Sequence, residues 1–99
     1  MAKIYLVGDK KYGFEKISSA LSSDIEYFQL RLKDVSDNEF LKEAKIYKKL
    51  CHKRGIKFII NDRVDIALKV DADGVHIGQD DISIDEAKEI LKDKIIGVS

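Results

Sequence analysis

Short apolar runs alternate with segments of helical spacing along the whole chain. Five of these runs predict strands, because they are short, rich in β-branched or aromatic residues, and bounded by polar residues. The predicted strands are Ile4–Val7, Ile25–Leu32, Phe58–Asn61, Gly74–Ile77 and Ile95–Val98. The predicted element order is therefore (βα)₄β, and this alternation is typical of parallel strands joined by helical crossovers.

Apolar residues at helical spacing mark four helices between the strands. The apolar residues of the first helix are Phe14, Ile17 and Leu21, and those of the second are Phe40, Ala44, Tyr47 and Cys51. Those of the third are Val64, Ala67 and Leu68, and those of the fourth are Ile84, Ala87, Ile90 and Leu91. Ser36 with Glu39, and Ser83 with Glu86, form the capping-box pattern that marks a helix start. Gly55 predicts the end of the second helix.

Two architectures have this alternation of strands and helices. A doubly wound, flavodoxin-like open sheet of five strands fits within about 100 residues, whereas an eight-stranded (β/α) barrel needs about 200–250 residues. The chain has 99 residues. Length alone therefore favours the open sheet.

The second predicted strand favours the barrel instead. Side chains alternate between the two faces of a strand. The face with polar groups carries Tyr27, Gln29, Arg31 and Lys33. The opposite, apolar face carries Phe28, Leu30 and Leu32. A central strand of an open parallel sheet is covered on both faces and is apolar throughout. We therefore predict an α/β fold that forms half of a TIM (β/α)₈ barrel, with the flavodoxin-like sheet, or an edge strand with one solvated face, as the alternative.

Composition narrows the classes of partner. Lys plus Arg and Asp plus Glu both number 18, so the net charge of zero creates no field that attracts nucleic acid or an anionic membrane. We expect no membrane span and no signal peptide, because the apolar runs are short. Cys51 is the single cysteine, which favours a cytoplasmic protein and a buried, inert thiol over a nucleophile.

Polar residues follow the predicted strands at their carboxyl ends. In a parallel α/β fold these ends lie on one face, where barrel enzymes carry their chemistry. The residues expected to converge there are Arg31, Lys33, Asn61, Asp62, Asp81 and Ser99. Cationic and amide donors suit phosphate oxygens, and the two carboxylates suit Mg²⁺ with bound phosphate. The pattern indicates a Mg²⁺–diphosphate site; the alternative is that Asp62 and Asp81 only cap the helices that follow them.

Four motifs resemble the thiamine phosphate synthase family. Residues 29–33 match the family's Gln-Leu-Arg-Glu-Lys signature except at Leu32, where the family has Glu. Residues 61–63 match Asn-Asp-Arg. Residues 74–81 match Gly-Val-His-Leu-Gly-Gln followed by two acids, with Ile77 in place of the Leu, and residues 95–99 resemble the start of the fifth strand. The resemblance covers essentially the whole chain, but only about the first half of the family's barrel.

The resemblance implies a transferase that joins a hydroxymethylpyrimidine diphosphate to a thiazole phosphate and releases pyrophosphate. The implied substrate-binding residues are Gln29, Leu30, Arg31, Leu32, Lys33, Asn61 and Ser99, and the implied Mg²⁺ ligands are Asp62 and Asp81. Positioning matters more than acid–base chemistry in such a reaction, so no residue is assigned as a catalytic acid or base. On strand alternation His76 faces inward, and we expect a packed, hydrogen-bonded histidine there rather than a base.

We expect residues 1–99 to form a single partial barrel domain that lacks the last three strands of the family's barrel. Three explanations stay open: a fragment of a longer synthase, two copies that pair into a barrel-like assembly, or a monomeric flavodoxin-like sheet. In each case we expect Mg²⁺–diphosphate binding with little turnover. The rival functions are a non-catalytic phosphate-binding or self-assembling half-barrel module and, more weakly, a thiazole tautomerase.

Overall fold

A computed structural model describes residues 4–9, 13–21, 25–78 and 84–98. Its strands are β1 (Ile4–Asp9), β2 (Ile25–Arg31), β3 (Lys57–Asn61), β4 (Gly74–Ile77) and β5 (Ile95–Val98). Its helices are α1 (Gly13–Ala20), α2 (Asp37–Lys53), α3 (Val64–Lys69) and α4 (Ile84–Leu91). The predicted (βα)₄β order is confirmed, although β1 continues beyond Val7 and β2 ends before Leu32.

The five strands form one parallel sheet in the order β1-β2-β3-β4-β5. A flavodoxin-like sheet has the order 2-1-3-4-5, with β1 in its interior. The sheet is open, but its sequential order is that of a barrel wall, so the flavodoxin-like alternative is wrong. Among the described strands, β1 and β5 each pair on one side only.

The hydrophobic core lies on the helix-covered face of the sheet. Phe28 on β2 and Phe58 on β3 are fully buried, and their ring centroids lie 6.2 Å apart. Tyr47 of α2 packs 5.6 Å from Phe28 between ring centroids. Burial of each such aromatic side chain stabilises the fold by about 1.5–3 kcal/mol. The apolar half of the alternating strand therefore points outward to the helices, as the barrel prediction requires.

The helix stripes are confirmed on α2 and corrected on two shorter helices. Leu68 of α3 is 51% exposed, while Ile66 is buried in its place. Ile90 of α4 is 44% exposed, because Ala87 and Leu91, four residues apart, form the buried line of that helix. None of the helices in the described ranges is long and apolar enough to cross a membrane.

The predicted start and end of α2 are confirmed, and a contact that the sequence did not predict closes α1. The Ser36 hydroxyl accepts a hydrogen bond from the Glu39 amide at 3.1 Å, which caps α2. Gly55 adopts φ 72° directly after that helix. Arg54 closes the end of α1, since its guanidinium donates to the carbonyls of Ser18 (2.6 Å) and Leu21 (2.9 Å). Ser83, of the second capping box, lies outside the described residues.

Candidate functional site

A pocket of about 330 Å³ lies where β1 to β4 end, on the face of the sheet opposite the helices. Its lining residues are Val7, Gln29, Arg31, Asn61, Asp62, His76 and Gly78. The strand residues among them alternate with the buried core residues of the other face. The polar half of the alternating pattern thus converges on one cavity.

Gln29 anchors the floor of this pocket. Its side chain is 5% exposed, and it is the only buried polar residue recorded in the described part of the chain. In the sheet register it lies between Val7 of β1 and Ile59 of β3. Gln29 interacts with other groups of the described structure, as a buried polar residue requires, and its position on β2 places it on the pocket side of the sheet.

The turn that follows β3 presents Asn61 and Asp62 to the pocket. Asp62 has φ 65°, a left-handed conformation that is uncommon for residues other than glycine. Its amide donates to the carbonyl of His76 on β4 at 2.8 Å, and the Arg63 amide donates back to the Asn61 carbonyl at 2.8 Å. The first hydrogen bond fastens the turn to β4, and the second closes the turn on itself.

The Asp62 carboxylate is exposed on the pocket. The helix-capping alternative places this side chain at the start of α3, but the N-cap residue of that helix is Arg63. Asp62 therefore lies one residue before the position where capping side chains act. A carboxylate beside an amide and a guanidinium is a donor set that fits a Mg²⁺-bound phosphate.

The other predicted site residues have different placements. Leu30 is fully buried in the core and Leu32 packs against it, so their side chains face away from the pocket. Contacts of these two with a substrate would use backbone atoms. Lys33 is exposed beyond the end of β2 and is not among the lining residues. Asp81 and Ser99 lie outside the described residues, so their assignments stay predictions.

Sequence reasoning missed one lining side chain and one spatial constraint. Val7 borders the pocket, and its neighbour Gly8 faces the core. Because successive residues of a strand face opposite sides, the alternation along β1 could have placed Val7 on the pocket side. Gly97 on β5 lies opposite His76 in the register. A Cβ atom at position 97 would lie 2.8 Å from His76 Nδ1, so the absence of a side chain there makes room for the imidazole. The inward direction predicted for His76 is confirmed by its place in the pocket lining.

Two charged or reactive groups lie outside the pocket. Cys51 is buried, as predicted, and burial, followed by the charge of Asp73, raises the pKa of its thiol to about 12, which disfavours the reactive thiolate. The hydrogen bond to Asp65 raises the pKa of Arg63 above its usual range. Within the described ranges, no group of three or more His, Cys, Asp or Glu side chains is arranged to hold a metal ion.

The fold and the site together define a class of protein: a parallel α/β sheet of barrel type with a polar pocket at the carboxyl ends of its strands. Comparison with known proteins gives the family. Residues 4–99 match the family profile described as thiamine monophosphate synthase, and the chain belongs to that family.

Named relatives agree with this assignment. The thiamine-phosphate synthase of Clostridium perfringens (strain 13 / Type A) is 47% identical over 102 residues, which cover 98% of this chain and 49% of that protein. The thiamine-phosphate synthase of Clostridioides difficile (strain 630) is 48% identical over 103 residues, which cover 98% of this chain and 49% of that protein. The chain thus spans about half the length of the curated relatives it matches.

A solved structure shows the same backbone arrangement. Thiamine phosphate pyrophosphorylase from Pyrococcus furiosus superposes with a TM-score of 0.90 at 36% sequence identity. The match covers 97% of this chain and 48% of that one. The five-stranded sheet is therefore similar to about half of a longer barrel-type protein.

Proposed function

We propose that this chain carries the Mg²⁺–diphosphate-binding half of a thiamine phosphate synthase. The reaction joins hydroxymethylpyrimidine diphosphate to thiazole phosphate, forms thiamine phosphate and releases pyrophosphate. The observation that carries the proposal is the convergence of Gln29, Arg31, Asn61 and Asp62 on one pocket. Membership of the thiamine monophosphate synthase family supports it.

Each of these groups has a role in the proposal. Arg31 and Asn61 donate hydrogen bonds to the diphosphate oxygens, because guanidinium and amide groups are suited to that contact. Gln29 lies beside them and orients the substrate from the floor of the pocket. Lys33 reaches the diphosphate from the exposed end of β2, and Ser99 contacts the pyrimidine.

Charge stabilisation accounts for the proposed chemistry. The bond between the pyrimidine methylene carbon and the diphosphate oxygen breaks, and its electron pair leaves with pyrophosphate. The thiazole nitrogen then supplies the pair that forms the new carbon–nitrogen bond. Mg²⁺, held by Asp62 and Asp81, supplies charge neutralisation on the leaving group when bound. Arg31, at the end of β2, adds a positive charge that stabilises the leaving pyrophosphate at the same place.

Isothermal titration calorimetry with inorganic pyrophosphate and Mg²⁺ tests the proposed site. The chain should bind pyrophosphate only when Mg²⁺ is present, and Asp62→Asn or Asp81→Asn should abolish that binding. Asn retains the shape of Asp and tolerates the left-handed backbone conformation. Loss of the metal-binding charge is thus separated from loss of the fold.

Asp71→Asn is the matched control. Asp71 is also an exposed aspartate with a positive φ, 54°, but it precedes β4 at the opposite end of the sheet. This variant should bind Mg²⁺–pyrophosphate like the unchanged chain. Unchanged binding by Asp62→Asn would refute the metal assignment, whereas equal loss in Asp71→Asn would indicate a nonspecific effect of charge.

A phosphate-binding or self-assembling half-barrel module without turnover is the second candidate. The observation in its favour is the open sheet, in which the described strands β1 and β5 each have one neighbour. Small-molecule phosphates remain the expected ligands in both cases. A second copy of the chain, or a complementing second half, is the expected protein partner in a cytoplasmic setting. Turnover with both substrates separates the two candidates.

A further inference from the structure

We propose that Arg63 is a positioning residue, which holds Asn61 and Asp62 towards the pocket by fastening the β3–α3 turn to the start of α2. The proposal rests on the proposed function, since it concerns the same Mg²⁺–diphosphate site. The guanidinium itself is not among the pocket-lining groups. Arg63 would therefore affect ligand binding only through Asn61 and Asp62, the two residues that precede it.

The Arg63 side chain is held by three groups outside the pocket. Nε and Nη2 donate to the two carboxylate oxygens of Asp65 at 3.1 and 2.9 Å. Nη2 also lies 2.9 Å from Oδ1 of Asp37. The guanidinium carbon lies 5.9 Å from the centre of the Phe40 ring. A planar guanidinium suits this combination of a two-pronged carboxylate contact and a ring contact.

These partners connect the turn to a rigid element. Asp37 is the first residue of α2, and Phe40, one turn later, is buried in the core. The Ser36 cap fixes the start of the same helix. Arg63 thus links the turn after β3 to a capped and packed helix terminus, while Asp65 joins the first turn of α3 to the same network.

The turn needs such a constraint because its backbone is strained. The φ of 65° at Asp62 is a conformation that persists in non-glycine residues only where surrounding contacts determine it. The two backbone hydrogen bonds around Asp62 provide part of that constraint. The Arg63 network provides the rest, since Arg63 is the next residue and its position sets the direction in which the chain leaves Asp62.

The test compares Arg63→Ala with Arg54→Ala. Arg54 is a second arginine that fastens one element to another, through the Ser18 and Leu21 carbonyls at the end of α1, and it does not line the pocket. Both variants should lower the melting temperature. Only Arg63→Ala should weaken binding of Mg²⁺–pyrophosphate, by about tenfold, as expected for coupled neighbouring groups. The affinity of Arg63→Lys for Mg²⁺–pyrophosphate should lie between those of Arg63→Ala and the unchanged chain, because lysine keeps the positive charge but cannot make the two-pronged contact of a guanidinium.

A charge variant separates positioning from direct contact with phosphate. If Arg63 positions the turn, Asp37→Asn should weaken pyrophosphate binding, because it removes one of the groups that hold the guanidinium. If Arg63 binds phosphate directly, Asp37→Asn should strengthen binding, because it releases the guanidinium and removes a negative charge. Stronger binding by Asp37→Asn would overturn the proposal.

Amide hydrogen exchange tests the proposal without any ligand. The Asp62 amide, which donates to the His76 carbonyl, should exchange faster in Arg63→Ala than in Arg54→Ala. Equal exchange in the two variants, or pyrophosphate binding by Arg63→Ala equal to that of the unchanged chain, would overturn the positioning role. If the unchanged chain binds no pyrophosphate, the proposed function fails, and the exchange rates still decide the role of Arg63.

Discussion

At the scale of single residues, surroundings give ordinary side chains unusual properties. Cys51 is fully buried on the core side of α2, between the sheet and the end of the helix. Its thiol pKa rises from 9.0 to about 12, chiefly because burial penalises the thiolate and then because Asp73 is negatively charged. The same location that makes the thiol unreactive also couples its ionisation to folding.

This coupling predicts a loss of stability in alkali. The unfolded chain releases the thiol proton first, so the free energy of unfolding falls as pH rises from about 9 to about 12. Between pH 8 and 10 the unchanged chain should lose about 1 kcal/mol more than Cys51→Ala does. Urea unfolding of both proteins at the two pH values measures the difference. Rapid reaction of the native thiol with Ellman's reagent at pH 8 would contradict the buried location.

At the scale of elements, short contacts between helix and strand ends determine where the chain turns. The carbonyl groups at the end of α1 are satisfied by Arg54, from the end of α2. Asp73, just before β4, accepts hydrogen bonds from the Phe58 amide at 2.7 Å and from His52 Nε2 at 2.8 Å. His52, near the end of α2, is thus part of a link between α2, β3 and β4.

Gly55 provides a prediction at this scale. Its φ is 72°, and no heavy atom lies within 4 Å of the position that a Cβ atom would occupy. Gly55→Ala should therefore destabilise the fold by about 1 kcal/mol through backbone conformation alone. Gly55→Asn should cost less, since asparagine tolerates this conformation better. Thermal or urea unfolding measures both, and equal costs for Ala and Asn would point to a steric contact instead.

At the scale of the whole molecule, the described sheet has one unpaired edge at β1 and another at β5, and its inner face is partly uncovered. Val7 on β1 is 43% exposed and Ile95 on β5 is 38% exposed, both on the face opposite the helices. Unpaired edge strands bind other strands readily. About half of the solved relative's chain lies beyond the matched region, so that relative contains further structure that this sheet lacks.

A protein that consists of these 99 residues should therefore bind Mg²⁺–pyrophosphate but show little or no synthase turnover with both substrates. The reason is that the polar side chains that line the pocket come only from β2, β3, β4 and the turn after β3, which is part of the site that the complete reaction needs. A turnover assay measures this, and near-normal activity would refute the half-site proposal.

Light scattering should give a native mass above the 11.3 kDa of one chain, because the open edges favour self-association.

Local periodicity by itself determined the order of the strands and helices and the buried faces of β2 and α2. The alternation of Gln29 and Arg31 with Phe28 and Leu30 predicts a polar face and an apolar face of β2, and both are observed. The stripe of Phe40, Ala44, Tyr47 and Cys51 likewise predicts the buried face of α2. These features follow from the spacing of residues along one element, so no distant contact is needed to infer them.

Only the tertiary structure decided which distant residues meet. The strand order that excludes the flavodoxin-like sheet, the burial of Ile66 rather than Leu68, and the link from Arg63 to Asp37 all depend on contacts between separate elements. The left-handed backbone at Asp62 also depends on its hydrogen bond to β4. Periodicity carries no information about such contacts, because they are set by packing and register across the sheet.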